Sequence, residues 1–225
     1  ISEIIRYPLL AVVILLIGMP HGAIDHIIAQ HLYTFRSKWS YRLKFYGWYL
    51  GVMALFTVAW IVSPLICFII FFGMTLYHFG QADAERFDLG GWRKVLLHYG
   101  RGITVVGLIF FGDLAYSSAV IESVTGFSLF NYANGLTNPA YLAYGLAAIY
   151  PISFLFTSIG KLNAKRFSFY LGDALVVSLL FLYADIIVAF AVYFGVWHSY
   201  NHVEVMLNFL SKKGKEVDYN WFFRE

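Results

Sequence analysis

The residues with the clearest chemical potential stand near the end of a long apolar run, in Gly195-Val196-Trp197-His198-Ser199-Tyr200-Asn201-His202. Two imidazoles four residues apart occupy one face of a helix, about 6 Å apart along its axis, which is a chelating geometry. Two further histidines sit inside apolar stretches, His21 in Met19-Pro20-His21-Gly22 and His78 in Tyr77-His78-Phe79-Gly80. Ionisable groups within a membrane-spanning segment are costly, so their presence points to a functional site with partners. The plainer alternative is that these histidines bond backbone carbonyls between helices.

Imidazole suits iron, copper, nickel and zinc, with geometry and supply deciding among them. An octahedral iron(II) held by four histidines keeps one or two positions for dioxygen. Zinc held by four ligands is closed, and would add nothing to a protein already held together by its helices. Iron is therefore favoured on grounds of activity. Haem is the competing reading, because paired axial histidines on facing helices would also look like single intramembrane residues. His198 and His202 speak against it, since one helix cannot offer both to opposite faces of a haem.

The elements that must position these groups are membrane helices. The chain has 225 residues, 60% of them hydrophobic and 13% charged, against roughly 25% charged in soluble domains. It reads as one integral membrane domain, with no linker, repeat or low-complexity tract dividing it. A net charge of +3 gives no argument for a nucleic-acid partner; the lipid bilayer is the partner that composition implies. Cys67 is the single cysteine and lies in an apolar run, which excludes a disulfide within the chain and reads as a buried, inert thiol. The chain opens on Ile1, and its first apolar stretch carries histidines rather than a small-residue cleavage site. A trimmed N-terminus and no signal peptide are expected.

At roughly 20 apolar residues per span, the chain divides into about seven transmembrane helices, an all-α polytopic bundle. The first is expected from Ile4 to His31, kinked at Gly18-Met19-Pro20 because Pro20 removes a backbone donor beside His21. The others are expected at Phe45 to Val62, Leu65 to Gly80, Val95 to Phe111, Pro139 to Ser158 with a kink at Pro151, Phe167 to Tyr183, and Asp185 to about Leu210. A short interfacial helix fits around Ser118 to Val124. The polar segment from Gln81 to Lys94, with its Gly90-Gly91 breaker, reads as a surface loop. Basic residues follow the first, third, fifth and seventh helices, so the N-terminus is expected outside.

Counting about 1.5 Å per residue from the outer ends near Tyr7, Leu65 and Ile186, His21, His78 and His198 all lie roughly 18–21 Å deep in a core of about 30 Å. His202 lies one turn further toward the cytoplasm. A shared layer on three separate helices is not what scattered core histidines would give. Near it, Arg101 and Asp173 are candidates for a buried pair or for orienting a ligand imidazole, structural pairing being the stronger reading. Asp25, Asp83 and Glu204 closely follow His21, His78 and His202 and are candidate acceptors for a second ring nitrogen. His26, His31 and His98 fall toward the cytoplasmic boundary and read as polar anchors. Tyr77, Phe79, Tyr193, Phe194, Trp197 and Tyr200 flank the proposed ligands and are candidates for the wall of a channel for a long apolar polyene.

At these residues the sequence resembles the Brp/Blh family of membrane β-carotene 15,15′-dioxygenases, bacterial and archaeal enzymes that make retinal for rhodopsins. The resemblance rests on Pro20-His21-Gly22-Ala23-Ile24-Asp25-His26, on His78-Phe79-Gly80 followed by Asp83, and on Trp197-His198-Ser199 with His202. Three separated motifs in the right order, with the seven-helix hydropathy, cover most of the chain. The resemblance implies iron(II) on His21, His78, His198 and His202, and oxidative cleavage of β-carotene by O2 to two retinal molecules. It also implies a multi-pass protein of a prokaryotic plasma membrane, with hand-over of retinal to a rhodopsin. Family chains are expected to continue past Lys212 to Lys215 into further apolar sequence, so residues 1–225 are read as a domain lacking C-terminal helices.

Other classes fit less well. A transporter would need a polar path to both faces, but Leu9 to Ile17, Leu65 to Phe72 and Ile186 to Val192 are apolar. A rhodopsin would need a Schiff-base lysine, and the seventh helix has none. A two-iron membrane desaturase would need more histidines than the seven present.

Overall fold

The computed structural model describes residues 3–19, 25–32, 38–84, 87, 89–128, 139–214 and 216–222. Among these, the elements are helical throughout. α1 (Glu3–Val13) runs on into a π-helical segment (Ile14–Gly18) and is followed by α2 (Asp25–Leu32), α3 (Lys38–Val62), α4 (Pro64–Ala84), α5 (Gly91–Phe111) and α6 (Leu114–Thr125). Then come α7 (Pro139–Ser158), α8 (Ala164–Tyr183), α9 (Ile186–Val192), a second π-helical segment (Tyr193–His198), α10 (Ser199–Lys212) and α11 (Tyr219–Phe222). The protein is an all-α membrane helix bundle.

Five helices among the described residues are long and apolar enough to cross a membrane: Trp39–Val62, Pro64–Asp83, Gly91–Phe111, Ala140–Ser158 and Ala164–Tyr183. The first and seventh expected spans take a different form. The first is described as Ile4–Gly18 and Asp25–Leu32, and the seventh as the α9, π and α10 run. Most helices extend beyond their hydropathy runs, because charged residues continue the helix into the boundary. α3 takes in Lys38, Arg42 and Lys44, and α4 runs on through Asp83. The expectation of a surface loop from Gln81 is thereby corrected: Asp83 is helical and fully buried, and Phe87 is buried as well. The Asp83 carboxylate can leave water because the buried Arg101 guanidinium meets it at 2.9 Å.

α5 is the axis of the bundle, with 56% of its apolar window buried, against none of α3. Glycines permit this. A Cβ at Gly80 would collide with the His98 carbonyl, and one at Gly102 with the Leu76 carbonyl, so α4 and α5 approach until backbone touches backbone. Small residues play this part between membrane helices, where lipid supplies no hydrophobic drive toward association. His98, expected as a boundary anchor, is 2% exposed and stands edge-on to Tyr77 in that close crossing.

α7 carries the expected irregularity at Pro151, and its neighbours repair it. Proline cannot donate to the carbonyl four residues back, and the Ala147 carbonyl accepts instead from Ser178 Oγ of α8 at 2.8 Å. One residue earlier, Thr104 Oγ1 of α5 enters the ladder, donating to the Leu146 carbonyl at 2.7 Å and accepting from the Tyr150 amide at 2.9 Å. These substitutions fix Tyr150 facing α5. At the other end, Asp185 caps α9 through the Ile187 and Val188 amides and accepts from Arg6 Nη1 at 3.1 Å, tying α1 to α9. The expected interfacial helix is α6, begun by Asp113 accepting from the Tyr116 amide and ended by Gly126 in the left-handed conformation.

Candidate functional site

Arg101 is the buried centre of a polar network spanning four helices and the π segment. Its Nε donates to Asp83 Oδ2 of α4 at 2.9 Å, and its Nη1 donates to Asp173 Oδ2 of α8 and to the Tyr150 hydroxyl of α7, both at 2.7 Å. The Tyr150 hydroxyl donates in turn to Asp173 Oδ2 at 3.0 Å. Three side chains of the π segment join in. The Tyr193 hydroxyl donates to Asp83 Oδ2, Trp197 Nε1 donates to Asp173 Oδ1 at 2.9 Å, and His198 Nδ1 lies 3.3 Å from Asp83 Oδ1. Buried charges persist when they are paired and hydrogen-bonded, and this network meets both conditions.

The π turn explains how Tyr193 and His198 reach the same carboxylate. In an α-helix, residues five apart point about 140° away from each other. In a π turn the backbone bond runs between residues five apart, bringing their side chains nearly one above the other. The two π segments also face each other across the bundle: Gly18 lies against the Phe194 ring, and Gly195 against Val13 and Ile17.

The network holds one of three neighbouring imidazoles. The ring centre of His78 is 5.2 Å from that of His198 and 5.8 Å from that of His202, and the latter two are 6.1 Å apart. The point equidistant from all three lies about 3.3 Å from each ring centre, close to a metal–nitrogen bond of about 2 Å plus the step of about 1 Å from nitrogen to ring centre. Among the described residues, no group of three His, Cys, Asp or Glu is turned so as to hold a metal ion. Rotation about χ2, a broad torsion for histidine, redirects a ring nitrogen while leaving the ring centre almost in place. The spacing of the centres is compatible with a common ion once His78 and His202 turn about χ2, with His198 kept on Asp83.

Two further features favour a cation. Asp83 and Asp173 share one guanidinium, so the network carries a formal charge of −1 beside the imidazoles. A carboxylate facing His198 Nδ1 makes that nitrogen the donor and gives Nε2 the lone pair a metal requires. Neutral imidazole suits iron, copper, nickel and zinc alike, so the donor set is compatible with iron(II) without selecting it.

A family model described as beta-carotene 15,15'-dioxygenase matches residues 12–225. The chain belongs to this family. That makes carotene dioxygenase the class of enzyme to which the bundle belongs. No curated protein and no solved structure matches the chain.

The other residues selected from the sequence of this family member distribute as follows. Phe79 and Phe194 pack on the His198 ring, at 4.3 and 5.5 Å between centres. Tyr193 and Trp197 belong to the polar network. Tyr77 lies against His98 and Tyr99, while Tyr200 is exposed and stacks on Tyr219 at 5.8 Å. Glu204 is exposed on α10. His21, the side chain of Asp25 and the side chain of His31 lie outside the described residues. Sequence reasoning passed over Tyr150 and Thr104, one of 17 tyrosines and a hydroxyl in an apolar run. The one available signal was Pro151, whose freed carbonyls need donors from a neighbouring helix.

Proposed function

We propose that this chain cleaves the central 15,15′ double bond of β-carotene with O2 at an iron(II) held by His78, His198, His202 and His21, giving two molecules of retinal. The supporting observation is the convergence of three imidazoles from α4, the second π segment and α10, in a member of the β-carotene 15,15′-dioxygenase family. The stoichiometry closes: one C40 hydrocarbon and one O2 become two C20 aldehydes, each carbon of the broken bond receiving one oxygen atom. Iron(II) supplies the activation of dioxygen that a singlet hydrocarbon cannot bring about by itself.

The chain's own residues perform the rest. Asp83 and Phe79 hold the His198 ring from the edge and from one side. Phe194 lies nearly parallel to that ring, at 19°, and being only half-buried offers an apolar surface of the kind a polyene packs against. His198 is buried, His202 is half-buried and His78 is exposed on its helix, so the cluster opens on the His78 side. A hydrocarbon dissolved in the bilayer can reach it there without crossing water, and dioxygen partitions into the same phase. Location in a prokaryotic plasma membrane, and hand-over of retinal to a rhodopsin, complete the proposal.

The test is metal analysis of the purified protein alongside chromatography of the products. Iron and retinal are expected together, with two retinal molecules formed for each β-carotene consumed. Stoichiometric haem, or full activity in metal-free protein, would overturn this reading.

A further inference from the structure

At the end of the bundle that the loop charges assign to the cytoplasm, the start of α5 and the turn between α7 and α8 enclose a cavity of about 370 Å³. Gly90, Arg93, Lys161 and Arg166 line it, over apolar contributions from Phe87 and Leu162. Among the described residues its lining holds three cationic side chains and no acidic one. Among the described residues none of the three cations enters an ion pair. Arg93 Nε is buried without a hydrogen-bond partner, while the guanidinium stands 4.9 Å from the centre of the Trp92 ring. The backbone adds to this. α5 begins at Gly91 after Gly90, which has no side chain to cap the first amides, whereas α8 is capped by Asn163. An uncapped helix start leaves amide donors, and the positive end of the helix dipole, turned toward a site that is already cationic.

The level of the cavity identifies its occupant. Arg93 is in the first turn of the Gly91–Phe111 span, and Lys161 lies between the Ala140–Ser158 and Ala164–Tyr183 spans, with Arg166 in the first turn of the latter. This is the depth of the headgroups. Trp92 packs on Phe156 at 5.8 Å between ring centres, and both are more than half exposed, as is Ile159. An apolar flank facing lipid thus adjoins the basic cavity. Basic pockets between membrane helices on this side of a bilayer take anionic headgroups. We propose that this cavity binds a phosphate-ester anion, the headgroup phosphate of an acidic phospholipid whose chains lie along Trp92, Phe156 and Ile159.

The full-length chain would be reconstituted in nanodiscs of phosphatidylcholine with increasing phosphatidylglycerol, and the lipid retained by the protein measured by native mass spectrometry. Wild type is expected to retain phosphatidylglycerol selectively. The double variant Lys161→Gln/Arg166→Gln, at two exposed positions, is expected to lose roughly tenfold to thirtyfold in apparent affinity, the factor two cations give at an anionic surface. Arg93→Gln, a single change in the partly buried member, gives a second and independent loss. Equal retention by wild type and both variants would overturn the site. In a second arm, inorganic phosphate is titrated into protein in neutral detergent; saturation at the concentrations where the lipid binds would overturn the lipid assignment. Iron content is expected to be the same in wild type and variants, which separates this test from that of the dioxygenase reading.

Discussion

Asp83 is the residue on which the imidazole cluster, network and fold meet, because its two oxygens face Arg101, Tyr193 and His198 at once. Asp83→Asn keeps the shape but replaces one oxygen with a donor, which must face Arg101, Tyr193 or His198, each itself a donor here. Iron affinity or retinal formation is expected to fall roughly 10–100-fold, the range for groups that orient metal ligands. Unchanged iron content and rate would show that Asp83 only balances Arg101. The histidines separate differently. His198→Ala and His202→Ala are expected to abolish activity in a protein that still inserts, since packing between helices holds the bundle. His98→Ala is expected to lower the thermal midpoint while iron remains bound, because His98 is buried at the α4–α5 crossing, edge-on to Tyr77. Loss of iron in His98→Ala equal to that in His202→Ala would show the ligand cluster to be misplaced. Asp83, Arg101 and Asp173 were legible because a charge in an apolar run is conspicuous. Tyr150 was not, since its hydroxyl matters only where Pro151 and Thr104 aim it.

The last membrane helix is where sequence and structure diverge most. Regular α-helical spacing pairs His198 with His202, yet it sets Tyr193 and His198 about 140° apart, so a shared carboxylate could not be foreseen. The π turn from Tyr193 to His198 brings them together. Val196 lies within that turn and is 59% exposed, so it contributes little to packing. Deleting it removes the extra residue and should restore α-helical winding. The expected result is a protein with unchanged helix content by circular dichroism that binds little iron, because His198 and His202 rotate away relative to Tyr193. Val196→Ala is the control and should behave as wild type. Iron retained at wild-type level in the deletion would mean that the π turn is not what aims the ligands. The helix ends were mislaid for a simpler reason: hydropathy stops at the first charge, whereas α4 continues through Asp83 because Arg101 receives it.

At the scale of the molecule, the proposed ligands lie on segments that do not adjoin in sequence; α5 packs directly against α4 and reaches the second π segment through Arg101, beside Asp83 and Tyr193. The order of helices and their membrane character followed from composition alone, but the centrality of α5 did not. It depends on Gly80 and Gly102 permitting backbone contact, and a glycine count does not tell which glycines meet a neighbour. An ion bound by His78 of α4 together with His198 and His202 would clasp helices that otherwise meet only by packing and through Asp83. Binding to the folded state alone stabilises it by RT ln(1 + [L]/Kd), about 2.7 kcal/mol at a free metal concentration 100 times Kd. For a chain of this length, each kcal/mol shifts the thermal midpoint by about 2–4 °C. Removing iron with a chelator is therefore expected to lower the midpoint by roughly 5–10 °C, and restoring iron(II) should reverse the change. His202→Ala should begin near the lower midpoint and respond to neither treatment. If chelation lowers the midpoint of His202→Ala as much as that of wild type, the stabilising metal is not at this cluster, and the three imidazoles are packing residues whose closeness has another cause.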